Sequence, residues 1–312
     1  MKYRKTLVGG LVTAVAVGGV WAGMSVSEAA TTAATALAVR GGAPYIYTGV
    51  SGTKDPVNVM KVTGVKAFTL AFILDKGTCS PVWDSGTLTD SGKQSMINKI
   101  RGAGGDVVVS FGGYSGNKLG NSCSNETALA GAYQKVIDLY KLKAIDIDLE
   151  AGEVSQSNKV LKALKIVKQK NPGISTILTL GTGKNGLEGD EAAIPGQAAA
   201  IGSPVDNWTI MPFDFSDNDS GVDHGAVTVS ASEGLHKQLK SALGGTDAGI
   251  YAKQGISSMN AKTDANGNVT VANFNTMLSY VQQHGLTRFT YWELSRDTAN
   301  LDYTKVIGKF QG

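Results

Sequence analysis

Three acidic residues stand at alternate positions in the run Ala144-Ile145-Asp146-Ile147-Asp148-Leu149-Glu150. Side chains alternate faces along a β-strand. Asp146, Asp148 and Glu150 therefore share one face, and Ile145, Ile147 and Leu149 share the other. Same-face neighbours lie about 7 Å apart at the backbone, and side chains as long as these can close that gap. Like charges so close cannot all ionise freely, so at least one of the acids is expected to hold its proton above the usual carboxylate range. A structural strand gains nothing from this arrangement, whereas a general acid working at neutral pH needs it. Glu150 is the longest of the three and the last in the run, which makes it the candidate proton donor.

An exposed edge strand could carry the same alternation, so the surrounding elements decide. Short apolar stretches rich in β-branched residues recur at 45–48, 67–74, 106–111, 144–150, 175–180, 208–213, 248–251 and 288–294. Stretches with helical apolar spacing fall between them at 91–103, 127–142, 157–170, 230–243 and 271–284. The helix at 157–170 ends at Asn171-Pro172-Gly173, a clear stop. Helices after the first and fifth strands are weak in sequence. Several strands are apolar on both faces, as in a parallel sheet covered by helices. Alternation repeated about eight times predicts a single-domain α/β fold, a (β/α)8 TIM barrel over residues 43–312. An open doubly wound sheet is the rival, but no glycine-rich phosphate loop opens a first βα unit. In a barrel the acidic run is a central strand, and Glu150 falls at its C-terminal mouth, where barrel enzymes place their chemistry.

With these motifs in order along the chain, the sequence resembles glycoside hydrolase family 18, the chitinases and their relatives, over nearly all of its length after the leader. Asp146-x-Asp148-x-Glu150 matches the family's Asp-x-Asp-x-Glu on the fourth strand. Ser110-Phe111-Gly112-Gly113 matches Ser-x-Gly-Gly on the third. Met211-Pro212-Phe213-Asp214 is similar to Met-x-Tyr-Asp on the sixth. Trp292 stands where the family has the tryptophan floor of its sugar site, and Arg296-Asp297 resembles a short element that follows it in some bacterial chitinases. The resemblance implies substrate-assisted hydrolysis, an exception to the two-carboxylate schemes. Glu150 would protonate the leaving oxygen, the sugar's acetamido oxygen would attack the anomeric carbon, Asp148 would hold that acetamido group, and Asp146 would share a proton with Asp148.

Two departures stand out. Lys143-Ala144 replace the Asp-Gly that often opens the fourth-strand motif. Phe213 replaces a tyrosine whose hydroxyl meets the acetamido group, and Phe215 also lacks a hydroxyl. One lost hydrogen bond to a developing charge costs about 2–4 kcal/mol of barrier. Tyr251, placed at the end of the seventh strand, is the candidate replacement, with Asp214 a partial one.

Other residues are weighed by position. Trp83, Tyr114 and Trp292 are candidates for stacking on sugar rings. Gly112 and Gly113 let the backbone pass close to a ligand or to the acids. His224, His236 and His284 are scattered with no zinc-site spacing, and His236 and His284 are expected at the surface. Asp264-Ala265-Asn266-Gly267 lacks the downstream glutamate of a calcium loop and reads as a turn. No metal and no cofactor are expected.

The chain opens with Lys2, Arg4 and Lys5, then an uncharged apolar stretch from Leu7 to Gly23, then Ser27 and Ala29 as a small-x-small site. Residues 1–29 read as a secretory signal peptide, and 30–42 as a flexible lead-in. The stretch is short and glycine-rich for a membrane anchor. Losing Lys2, Arg4, Lys5 and Glu28 takes the formal charge from +3 to +1. A near-neutral chain gives no reason to expect a nucleic-acid or membrane partner. In an exported protein, Cys79 and Cys123 are expected to form a disulfide tying two mouth loops, worth about 4 kcal/mol in the chain-entropy model. The expectation is a secreted, monomeric, chitinase-like hydrolase of N-acetylglucosamine polymers. A lysozyme-like or endo-N-acetylglucosaminidase specificity is one alternative, and a non-catalytic chitin-binding lectin is another. Lectin-like relatives typically lose the terminal glutamate, which is present here as Glu150.

Overall fold

A computed structural model of the protein describes residues 40–50 and 52–312. The leader and all of the lead-in before residue 40 lie outside the described residues.

The acidic strand is central in a closed parallel sheet. The chain runs through β1 (Gly41–Gly42), β2 (Tyr45–Tyr47), β3 (Ala67–Asp75), β4 (Pro81–Trp83), β5 (Asp106–Gly112), β6 (Ala144–Leu149), β7 (Ser175–Gly181), β8 (Asn207–Met211), β9 (Gln254–Met259), β10 (Ala261–Lys262), β11 (Asn268–Val269) and β12 (Arg288–Trp292). Hydrogen-bonded neighbours follow the order β1-β12-β9-β8-β7-β6-β5-β3-β2. The two ends of that path, β1 and β2, are consecutive pieces of chain joined by Ala43-Pro44, so the sheet closes on itself. Proline has no N–H to give a ladder. Side chains complete the seam instead, Thr69 and Thr290 both donating their hydroxyls to the Ala43 carbonyl. The first barrel strand thus begins at Gly41, paired with Arg288. This corrects the end of the expected lead-in, because two glycines carry no apolar pattern by which a strand could be read.

β4 folds back antiparallel on β3, and β10 and β11 form a separate hairpin after β9. The turn read at 264–267 is the tip of that hairpin. Helices cover the barrel where periodicity placed them. Ser157–Lys170 and Val271–His284 match the expected bounds, and Ser91–Gly102 and Glu126–Tyr140 nearly so. Helix His224–Leu243 starts six residues before the expected 230, capped by Asp223 accepting from Gly225 and Ala226. The two helices weak in sequence are short, Pro56–Thr63 and Ile194–Ala200.

The seventh strand departs from expectation. Residues Asp247–Tyr251 are a helical turn capped by Thr246, and the strand is Gln254–Met259. The short apolar pair in Ala248-Gly249-Ile250-Tyr251 cannot be told from a helix fragment by period alone. Gln-Gly-Ile-Ser-Ser-Met, whose Ser257 and Ser258 are buried in the wall, carries no strong apolar signal.

The core is the layer between strands and helices. On β6, Ile145, Ile147 and Leu149 are fully buried in it. Inside the barrel a small plug of Val108, Ala144 and Ile177 fills the level below the acids. Polar groups then take over towards the mouth.

Candidate active site

Asp146 is fully buried in the barrel interior. Its Oδ2 accepts from Tyr45 Oη and Ser110 Oγ, both at 2.7 Å, and its Oδ1 accepts from Thr179 Oγ1 at 2.8 Å. Three strands thus aim hydroxyls at one carboxyl group. The sequence reading paired Asp146 with Asp148 through a shared proton; the structure instead engages both its oxygens with hydroxyl donors.

Asp148, next along the same face, turns towards Glu150, with which it shares a side-chain hydrogen bond. Burial, followed by the charges of Glu150 and Asp146, pushes the Asp148 carboxyl well above its usual range. Asp148 Oδ1 is buried and has no partner within the protein. Glu150 lies just past the strand, where the chain turns into a 3-10 segment, Ala151–Gln156. Burial raises Glu150 to about 7, opposed by the Lys118 ammonium and the hydrogen bond with Asp148, and supported by Asp214. Removal from water is the main cause for both acids. Burial thus raises the proton affinity of Asp148 and Glu150, the two acids nearest the mouth.

Gly112 and Gly113 let the end of β5 run against this ladder. Both take positive φ, 97° and 81°. A Cβ on Gly112 would stand 2.2 Å from the Asp148 carbonyl oxygen, and one on Gly113 would strike the Phe72 ring at 2.8 Å. The Gly113 N–H donates to that same Asp148 carbonyl at 2.8 Å. Only residues without a side chain permit the approach.

Above the acids opens a cleft of about 1010 Å³ at the C-terminal ends of the strands. Of the expected site residues, Asp148, Glu150, Tyr114, Met211, Phe213, Asp214 and Trp292 line it. Asp146, Ser110, Gly112 and Gly113 stand behind as supports. Tyr251 is elsewhere. It precedes β9 at the foot of the barrel, stacked on His236 at 3.8 Å and donating to Glu233. It cannot supply the hydroxyl that Phe213 lacks. Asp214 does face the acids, with Oδ1 accepting from the Ala265 N–H at 2.7 Å.

Trp83 is also corrected. It lies on β4, 1% exposed, its indole N–H donating to Tyr140 at 2.8 Å, and it packs under the helices rather than over the cleft. His236 is buried at 8% exposure, because the small helix Asp247–Tyr251 covers it. Cys79 and Cys123 form the expected disulfide between the loop after β3 and the short helix Leu119–Ser122.

Sequence reasoning missed several site residues. Trp292 stacks on Phe72 with ring centroids 5.3 Å apart and planes 16° apart, and Tyr45 and Tyr47 meet it at 5.7 and 5.5 Å. These four rings floor the cleft. The two tyrosines, i and i+2 on the first strand, were a readable signal. Phe72 was not readable, for it has the parity of Phe68 and Leu70, which face the helices. An irregularity between Leu70 and Ile73 shifts the register and re-aims Phe72 inward. The cleft wall is acidic: Asp84, Glu188, Glu191, Asp214, Asp217 and Asp264 join Asp148 and Glu150, and no lysine, arginine or histidine lines it among the described residues.

The closed (β/α)8 barrel, with its buried acid ladder and aromatic-floored cleft at the mouth, is the fold shared by the catalytic domains of solved chitinases. No family model matches the chain. It is 29% identical over 274 residues to the "Probable bifunctional chitinase/lysozyme" of Escherichia coli (strain K12), covering 82% of this chain and 30% of that protein. It is 28% identical over 271 residues to "Endochitinase 11" of Metarhizium anisopliae, covering 82% of this chain and 52% of that one. The chain thus spans only about 30% to 52% of the length of these two curated relatives. Among solved structures, the catalytic domain of the hyperthermophilic chitinase from Pyrococcus furiosus superposes with a TM-score of 0.78 at 28% identity, covering 87% of this chain and 95% of that one. A family 18 chitinase from Pseudoalteromonas aurantia shares the fold, with a TM-score of 0.65 at 16% identity, covering 86% of this chain and 99% of that one. The chain is thus similar to chitinases, and it shares its fold with a solved family 18 chitinase.

Proposed function

We propose that the protein hydrolyses β-1,4-linked N-acetylglucosamine chains with retention, using the substrate's own acetamido group as nucleophile. One observation carries the reading. Glu150, raised to about 7, lines the cleft beside Asp148, whose second oxygen is buried and unpartnered. A proton donor and an adjacent group able to hold an amide are what this reaction needs. The relative from Pyrococcus furiosus whose catalytic-site mutants were crystallised with chito-oligosaccharides is 26% identical, with a TM-score of 0.78 and coverage of 87% and 94% of the two chains, and adds support for this substrate class.

The steps follow from these groups. A sugar stacked on Trp292 places its glycosidic oxygen against protonated Glu150. Glu150 gives its proton to that oxygen as the bond to the anomeric carbon breaks and the leaving sugar departs as an alcohol. The acetamido carbonyl oxygen forms a bond to the same carbon and closes a cyclic oxazolinium. Asp148 accepts the acetamido N–H and faces the developing positive charge, while Asp146 and its three hydroxyl partners hold the strand below in place. Glu150, now a carboxylate, takes a proton from water. That water attacks the anomeric carbon, opens the ring and restores the amide. Two displacements give retention.

The leader pattern of residues 1–29 supports export. The test uses fluorogenic chitobiose- and chitotriose-linked substrates with wild type and Glu150→Gln. Turnover that collapses in the variant while sugar binding persists is the expected result. Binding without turnover in both proteins would indicate a lectin. Cleavage of bacterial walls but not of chitin would move the specificity to peptidoglycan.

A further inference from the structure

The cleft wall carries more negative charge than the reaction above uses. Glu188, Glu191, Asp214, Asp217 and Asp264 line it from the segments that follow β7, β8 and β9. Those strands are successive neighbours in the sheet, next in order after β6. The five carboxylates therefore form one arc on a single flank of the ladder. Asp84 stands on the other flank, where the Tyr47 hydroxyl donates to it at 2.5 Å.

Packing does not ask for these groups. The Glu188, Asp217 and Asp264 side chains are exposed. Among the described residues, no lysine, arginine or histidine comes within ion-pair distance of any of the five. Lys184, in the loop after β7, holds its ammonium 6.0 Å from the centre of the Phe215 ring and does not line the cleft. The backbone leaves room for the arc, since a Cβ on Gly183 would stand 1.9 Å from the Glu188 carboxyl carbon. Asp148 marks the cleft as a ligand site on separate grounds. It is 4% exposed, lines the cleft and keeps a buried oxygen without a partner. A buried acceptor left open in this way calls for a donor that the protein does not supply.

A concave surface lined by one sign of charge focuses its field and concentrates ligands of the opposite sign. An N-acetylglucosamine chain is neutral while every unit keeps its acetyl group. Each unit that loses it gains an amine, which is protonated in mildly acidic water. We propose that the arc formed by Glu188, Glu191, Asp214, Asp217 and Asp264 is a cation-selecting subsite that holds the ammonium groups of glucosamine units in partially deacetylated chitin. The inference deepens the hydrolase reading and rests on it. The reacting unit keeps its acetyl group at Asp148, while units further along the arc carry the positive charge. The same field turns away glycans that bear carboxylates, such as the muramic acid units of peptidoglycan.

Binding to the full chain carrying Glu150→Gln isolates this selectivity from turnover. Calorimetric titration in mildly acidic buffer compares the N-acetylglucosamine hexamer with the same hexamer deacetylated at alternate units. A muramic-acid-containing peptidoglycan tetrasaccharide is compared with the N-acetylglucosamine tetramer. At low salt the alternating hexamer is expected to bind about tenfold more tightly than the acetylated one, and the peptidoglycan fragment about tenfold more weakly than its neutral counterpart. The preference should shrink to about twofold or less in 1 M salt, where charges are screened beyond about 3 Å. Adding Glu188→Gln, Asp217→Asn and Asp264→Asn together removes three exposed charges and should bring the ratio of the two hexamers close to one. Equal binding of the hexamers at low salt would overturn the proposal, as would a preference that survives the three substitutions. If the multiple variant does not fold, the salt series decides, and a preference unmoved by salt overturns the inference. A peptidoglycan fragment bound as tightly as the neutral tetramer would also overturn it. A wild type that cleaves none of the fluorogenic substrates, with the ammonium preference intact, removes the hydrolase reading and leaves the charge selection standing.

Discussion

The Gly113 N–H reaches the Asp148 carbonyl at 2.8 Å, so the glycine pair ending β5 is fastened to the backbone of the acid ladder. Gly112→Ala tests that fastening. The new Cβ would overlap the carbonyl oxygen, at a φ of 97° that alanine strongly disfavours. The expected result is a loss of about 3 kcal/mol or more of stability together with most activity. Urea unfolding alongside the fluorogenic assay measures both, and a variant as stable as wild type would contradict the geometry.

Glu150 sets a pH limit. In the proposed mechanism its acid form starts the reaction, and burial raises its pKa to about 7, so kcat/KM should fall as pH rises through that value, approaching tenfold per unit above it. Rates from pH 4 to 9 locate the limb. A limb near 4.5, the ordinary glutamate range, would mean that burial does not hold the proton.

Phe213 lines the cleft at the position where the family 18 motif it resembles has a tyrosine, and Tyr251 precedes β9 at the opposite end of the barrel. Phe213→Tyr should restore a donor to the acetamido oxygen and raise kcat by about a hundredfold, the lower end of what one such hydrogen bond contributes. Tyr251→Phe should leave kcat and KM unchanged and cost about 1 kcal/mol of stability through its lost bond to Glu233. A large kcat loss in the second variant would reverse the assignment.

Glu153 links stability to pH. Its folded-state pKa is raised to about 7 by burial. The folded protein therefore binds the proton more tightly than the unfolded chain, and this contribution is complete below the unfolded pKa. It is lost as pH rises through the folded value. Glu153→Gln, which keeps an acceptor for the Gly120 N–H, should narrow the difference in stability between pH 5 and pH 8.5 by on the order of 3 kcal/mol. Paired urea melts would show it, and identical pH slopes in the two proteins would refute it.

Much of this site was legible in the sequence because its determinants are local. Alternation along 144–150 fixed which side chains share a face, and burial of Ile145, Ile147 and Leu149 among the helices leaves the acids only the interior. The glycines at 112 and 113, the segment 211–214 and Trp292 each stand at a strand end, so their approach to the cleft followed once the strands were placed. The seventh strand failed for the same reason others succeeded: a run of a few residues carries too little period to separate a strand from a helical turn.

By itself, then, the sequence determined the barrel, the inward acid ladder and the disulfide partners, since period and spacing act within one element or need no further choice. The tertiary structure alone decided the rest. A bulge turns Phe72 under Trp292, and packing buries Trp83. Tyr251 goes to the barrel's foot, and Lys118 and Glu153 are both buried behind the ladder from separate loops. These outcomes depend on which distant segments exclude water from one another, and no pattern local to any of those residues encodes that.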